Sequence, residues 1–230
     1  EFMDELLDEP TRMVSLIAAQ SEVGALQPTV LVGRACRDRG ITFHSDATQL
    51  IPQGCPEFNR FHSDLISLSA HKFQGPRGIG LLIRDSSHPL VPVQGGGGQE
   101  FGLRSGTEAL ALIAGMAQAL SVLPAYHLSG DTIPPGSGPD VRRQRDVLLE
   151  ALLEIPGLSL LGPNVNQRSP NHIAVLVGSA EGQPIPARAM VRELARRGVA
   201  CSSGSACRSG QRQDSSVLTA MNIPEPWRQS

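Results

Sequence analysis

The succession of apolar runs over residues 13–45 constrains the fold more than any other feature of the chain. Met13–Ala19 (MVSLIAA) has the length and character of a buried strand. Pro28–Arg39 carries Val30, Leu31, Ala35 and Cys36 at helical spacing, opens on a proline and is stopped by Gly40. Ile41–Ser45 returns to strand character. A strand, a helix and a strand in so short a stretch form a crossover between parallel neighbours, so the sheet is expected to be mostly parallel. Asp64–Ser69 (DLISLS) and Gly78–Ile83 (GIGLLI) supply two more strands around the turn Gly75-Pro76-Arg77-Gly78, and Glu108–Leu123 is a strongly apolar helix.

Composition shifts at Pro124, and the stretch to Pro139, with Pro134-Pro135, Gly136 and Gly138, reads as a linker or exposed loop. Beyond it come a helix (Asp140–Ile155), a strand (His172–Val177), a helix (Ala187–Arg197) and a short strand (Val199–Ser202). The expected organisation is α/β throughout: a large domain over 1–123, a connection over 124–139, and a smaller C-terminal α/β domain over 140–230.

Polar residues collect where the expected strands end. Gln20 and Ser21 follow the first, Asp46, Thr48 and Gln49 the second, and Ser69, His71 and Lys72 the third. Open α/β sheets bind ligands outside the carboxyl ends of their strands, so these clusters are candidates for one crevice. The alternatives are a buried Asp46–Lys72 ion pair or unrelated strand-end caps. Lys72 stands out further, because the chain has nineteen arginines and this single lysine. Where only positive charge matters the two residues exchange. A retained lysine suggests an amine that must lose its proton and attack carbon, which a guanidinium cannot do. Chance survival of a surface lysine is the competing explanation.

Composition narrows the function classes. A net charge of −2 without basic runs argues against nucleic-acid or membrane-surface partners. The longest apolar stretch, Ala109–Leu123, is interrupted by Gly115, Gln118 and Ser121 and is too short to span a bilayer. The acidic residues Asp4, Glu5, Asp8 and Glu9 do not make a secretory leader, and four scattered cysteines do not make a disulfide framework. A cytoplasmic protein is expected. The glycine run Gly95–Gly98 lacks a following lysine and reads as a flexible turn, not a phosphate cradle.

Four motifs carry a resemblance. His44-Ser45-Asp46-Ala47-Thr48-Gln49, Ser69-Ala70-His71-Lys72, Arg104-Ser105-Gly106-Thr107 and Ser202-Ser203-Gly204-Ser205-Ala206-Cys207 resemble, in order and spacing, the successive motifs of cysteine desulfurases. These are pyridoxal 5'-phosphate enzymes of the class V aminotransferase family, with the PLP-dependent transferase type I fold. The resemblance runs from about Met13 to Ile223, and the serine-rich stretch before Cys207 is similar to the branch that includes iron–sulfur cluster assembly enzymes.

The resemblance implies a role for each residue. Lys72 would hold the cofactor covalently, and Asp46 would keep its pyridine nitrogen protonated so that the ring accepts electrons from the substrate. Gln49 would donate to the phenolic oxygen, and Ser69 and His71 would contact the phosphate. A histidine packed beside a helix start is the other reading of His71. Thr107 would reach the cofactor phosphate of a neighbouring subunit, implying a homodimer, with Arg104 ordering its loop. Cys207 would be the nucleophile that takes sulfur from L-cysteine, leaving L-alanine and a persulfide for a sulfur-acceptor protein. An inert small hydrophobe is the alternative for Cys207, against which the neighbouring glycines and serines argue. Cys201 reads as structural, and Cys36 and Cys55 as residues without a role; no metal site is expected.

The sequence also departs from the family pattern. Where members carry paired asparagines before a Glu-Val/Ile-Gly turn, this chain has Gln20-Ser21, which leaves Ser21 as the candidate ring-oxygen contact. The family is much longer, with an upstream phosphate loop and stacking histidine and a downstream arginine for the substrate carboxylate. The chain is therefore expected to be incomplete at both ends and feeble in turnover by itself. Rivals to the desulfurase reading are a selenocysteine lyase or another class V lyase or aminotransferase, and a catalytically incomplete fragment or pseudoenzyme acting through protein contacts.

Overall fold

The structure, a computed structural model, describes residues 11–126, 139–204 and 215–229. It divides into two compact units, Glu1–Ala19 with Leu26–Ser137 and Gln20–Ala25 with Gly138–Ser230.

In the first unit, β1 (Met13–Ile17) is followed by α1 (Thr29–Asp38) and β2 (Thr42–Asp46), and β1 and β2 pair in parallel from Met13↔Thr42 to Ile17↔Asp46. The two-residue strand β3 (Cys55–Pro56) precedes β4 (Leu65–Ser69), which lies parallel to β2 and sets Asp46 opposite Ser67. Strand β5 (Gly80–Arg84) turns back antiparallel, placing Ser69 opposite Gly80. The sheet order is β1-β2-β4-β5, parallel except at the β5 edge. Helix α2 (Leu110–Ser121) and a short β6 (Ala125–Tyr126), paired with β3, complete the described part.

Strand alternation explains the packing. On β2, Phe43 and Ser45 are buried while Thr42, His44 and Asp46 face the other way and are half-buried. Phe43 packs with Ile41 against Val32 and Cys36 of α1, while Val30 joins Ala18, Leu50, Phe61 and Ile66 in the larger core. Burying a side chain such as Phe43 or Ile66 contributes about 1.5–3 kcal/mol. Helix α1 seats closely only because of Gly33, where a Cβ would lie 2.2 Å from the backbone oxygen of Phe61.

The second unit contains α3 (Pro139–Leu153), β7 (Leu158–Leu160), β8 (Val175–Val177), α4 (Ala187–Arg196) and α5 (Ser216–Ala220). Strands β7 and β8 form an antiparallel pair from Leu158↔Val177 to Leu160↔Val175. Val23, Leu161 and Leu218 form the buried apolar centre, with Ala174, Leu176, Val217 and Ile223 against it. Two expectations are corrected. Val199–Ser202 is not a strand; Val199 is half exposed and pairs with no other strand. The strand expected from His172 begins only at Val175, because the His172 N–H is drawn into a turn by Ser169 O at 3.1 Å.

Candidate functional site

Strands β2 and β4 are parallel neighbours, so Asp46 and Ser69 stand at corresponding ends of adjacent strands. The chain leaves β2 through a tight turn in which the Thr48 N–H donates to Asp46 Oδ1 at 2.9 Å. That bond fixes the carboxylate and leaves Oδ2 without a partner among the described residues. Gln49 follows, half-buried.

Beyond β4 the chain makes a 3₁₀ turn, Ala70–Phe73. Residues three apart eclipse in such a turn. Ala70 and Phe73 both sink into the core, so His71 and Lys72 emerge from the opposite side. His71 is exposed and its Nδ1 lies 2.8 Å from Ser69 Oγ, making one polar pair of the two candidate phosphate contacts. Lys72 is half-buried and has neither hydrogen bond nor ion pair among the described residues. The Asp46–Lys72 ion pair considered from the sequence is therefore not formed. Its amine is unengaged among the described residues, which suits a nucleophilic lysine.

Sequence reasoning missed His44, which occupies the same strand face as Asp46, two residues earlier. Its Nδ1 meets Ser15 Oγ on β1 at 2.8 Å and its Nε2 meets Ser67 Oγ on β4 at 3.0 Å. The period-2 alternation with Asp46 was the available signal.

Thr107 lies in the same unit on an exposed loop. The buried Ser105 beside it donates to Gly95 O at 2.9 Å, and Gln99 Oε1 accepts from the Gly106 N–H at 3.2 Å. The glycine run is thus more than a flexible turn: a Cβ on Gly96 would lie 2.8 Å from the Ser105 Cβ. These contacts tie down the residues before Thr107 and present Thr107 outward.

Ser21 belongs to the second unit. The neighbouring Gln20 side chain folds back, its Oε1 accepting from the Glu22 N–H at 2.5 Å and the Val23 N–H at 2.8 Å, so Gln20 is consumed locally. Ser21 is exposed and its backbone oxygen accepts from His172 Nε2 at 3.0 Å. With Nε2 donating, Nδ1 must accept, and it faces an Arg168 N–H at 3.4 Å. Burial and then the Arg168 charge hold the His172 pKa below its ordinary value. Folding therefore favours the neutral ring, and the unfolded chain binds the extra proton. The resulting stability is fully present above the unfolded value near 6.5 and is lost as pH falls below it. The denaturant midpoint of the second unit is expected to fall between pH 7.5 and pH 5, and His172→Gln, which keeps a donor for Ser21, is expected to flatten that dependence.

Cys207 lies outside the described residues. Cys36, which is buried, and Cys55, which is half-buried, are poor alternatives as nucleophiles. Burial, then the Asp64 charge, raises the Cys36 thiol, and burial raises that of Cys55, so both stay protonated near neutral pH.

A family model described as aminotransferase class-V matches residues 1–223. The cysteine desulfurase IscS of Rickettsia felis is 36% identical over 228 residues, covering 98% of this chain and 52% of the relative. Among solved structures, a NifS-like protein from Rickettsia africae superposes with a TM-score of 0.79 at 26% identity, over 100% of this chain and 58% of that one. A structure described as SspA in complex with cysteine gives a TM-score of 0.71 at 25% identity, over 99% of this chain and 59% of that one. The chain spans about half the length of the curated relatives it matches. No helix among the described residues is long and apolar enough to cross a membrane.

Proposed function

The chain belongs to the aminotransferase class-V family, and from that premise we propose that it is the core of a pyridoxal-phosphate-dependent cysteine desulfurase. The observation that carries the reading is the chain's one lysine, without a partner among the described residues, on the turn after β4 beside a strand that ends in Asp46. The likeness to desulfurases and to a structure bound to cysteine supports L-cysteine as the substrate.

The residues present fit that cofactor. Among the described residues, Lys72 offers an amine and Asp46 a carboxylate oxygen without partners, and Ser69 with His71 a paired hydroxyl and imidazole suited to a phosphate. When bound, the cofactor supplies a carbonyl for the substrate amine and an electron-withdrawing ring. Lys72 would hold it covalently and, as an amine that can lose its proton, would also serve as a base. Asp46, oriented by the Thr48 N–H, would keep the ring nitrogen protonated. Gln49 would donate to the phenolic oxygen, and Thr107 would meet the phosphate held by a second copy in a homodimer.

Cys207 performs the transfer. Its thiolate forms a bond to the substrate sulfur as the carbon–sulfur bond breaks; the carbon keeps the bonding pair and is protonated. L-cysteine and the thiol thus become L-alanine and an enzyme persulfide, with no external oxidant or reductant. A sulfur-acceptor protein, in iron–sulfur assembly or another route, then takes the sulfur in the cytoplasm. Cys207→Ala tests the reading: persulfide and L-alanine formation should vanish while cofactor still attaches at Lys72. Unchanged alanine release, or activity confined to selenocysteine, would overturn it.

A further inference from the structure

One face of the first unit's sheet carries a line of polar side chains across its three parallel strands. His44 is the central residue of β2, and its imidazole reaches both neighbours. Its Nδ1 meets Ser15 Oγ on β1 at 2.8 Å and its Nε2 meets Ser67 Oγ on β4 at 3.0 Å. Asp46 follows two residues later on the same face, and the β2–β4 pairing sets Ser67 directly opposite it. Neighbouring strands lie about 4.8 Å apart, so a serine hydroxyl in that place is within donating reach of the carboxylate. Such a bond is charge-assisted, roughly twice as strong as one between neutral groups. It would occupy the carboxylate oxygen that the Thr48 N–H leaves open. Among the described residues, however, Ser67 and Asp46 make no hydrogen bond to each other.

The Ser67 hydroxyl has one proton, and a neutral imidazole has one donor nitrogen and one acceptor. With Nε2 donating, the serine proton would be left for Asp46. The missing Ser67–Asp46 bond fits the opposite arrangement, in which Nδ1–H donates to Ser15 Oγ and Nε2 accepts from the Ser67 O–H. Ser15 then holds the ring in the tautomer whose Nε2 carries the lone pair. We propose that His44 is a positioning residue for the cofactor site: by taking the Ser67 proton it keeps Asp46 Oδ2 open for the ring nitrogen. The inference rests on the pyridoxal-phosphate reading and goes beyond it, since His44 acts through Ser67 and not on the cofactor.

The test loads the protein with pyridoxal phosphate isotope-labelled at the ring nitrogen. It reads that nitrogen's chemical shift, which differs between the protonated and the neutral ring, and the dissociation constant of the cofactor. His44→Phe fills similar space without a lone pair. It should move the resonance toward the neutral-ring position and weaken cofactor binding about tenfold. Removing the released hydroxyl as well, in His44→Phe with Ser67→Ala, should return both readings close to wild type. A purely structural role for His44 predicts no such rescue. His44→Gln, whose amide oxygen can accept from Ser67, should retain most of the wild-type shift and affinity, and Ser67→Ala alone should change neither. A double variant as impaired as His44→Phe, a His44→Phe protein with an unmoved resonance, or a His44→Gln protein that has lost the wild-type shift would overturn the proposal. A wild-type protein that takes up no cofactor would instead overturn the reading on which it stands.

Discussion

Replacing Lys72 by arginine is expected to lower L-alanine release by roughly a thousandfold or more and to abolish covalent cofactor attachment. The substitution preserves positive charge and most of the side-chain length, so it isolates the one property argued from the sequence. An amine can lose its proton and bond to a carbonyl carbon, whereas a guanidinium remains charged. The surroundings favour a clean result. Lys72 makes no hydrogen bond or ion pair among the described residues, and the turn that carries it is anchored by Ala70 and Phe73 instead. The fold should survive, with a denaturation midpoint close to that of the wild type. A variant that still attaches cofactor elsewhere in the chain and turns over cysteine would remove Lys72 from the account.

The largest effect on stability is expected at Arg168. This side chain is fully buried, and its guanidinium donates to Pro163 O at 3.0 and 2.8 Å, to Leu161 O, and to His172 Nδ1. A second buried arginine, Arg145, donates at 3.2 Å to the backbone oxygens of Arg168 and Ser169 and pairs with Asp146 at 2.6 Å. Burial and the Arg145 charge lower the Arg168 pKa, so the charge is carried at a cost that its carbonyl partners offset. Arg168→Met keeps much of the volume but strands those oxygens. Each buried acceptor left unsatisfied costs about 1–3 kcal/mol, so a loss of about 3–5 kcal/mol is expected for the second unit. Urea denaturation checks it; a loss below about 1 kcal/mol would mean that water replaces the guanidinium freely.

The legible and illegible parts of the chain divide on physical grounds. The parallel pairing of β1 and β2 was legible because helical spacing in α1 and the stop at Gly40 are local signals. Asp46 and Lys72 could be singled out for the same reason: strand ends are visible in sequence, and a lone lysine among arginines is a chemical anomaly. Gln20–Ala25 was not legible as part of the second unit, because its place depends on Ser169 and His172, about 150 residues away. Strand β7 is three residues long and follows Pro156-Gly157, too short for any periodicity to register. Val199–Ser202 has the residues of a strand but finds no partner, since propensity yields to pairing. Gly95–Gly98 looked like slack, and only the packing of Ser105 against Gly96 gives it a purpose. Thr107 was named through resemblance, not chemistry visible in its surroundings.

The central claim is that this chain holds pyridoxal phosphate through Lys72. The most direct measurement is incubation with the cofactor, borohydride reduction and peptide mapping, made clean because Lys72 is the single lysine of the 230 residues. The account predicts stoichiometric phosphopyridoxyl label on the peptide containing Ser69-Ala70-His71-Lys72. Label confined to an amino terminus, or no stable label, would contradict it.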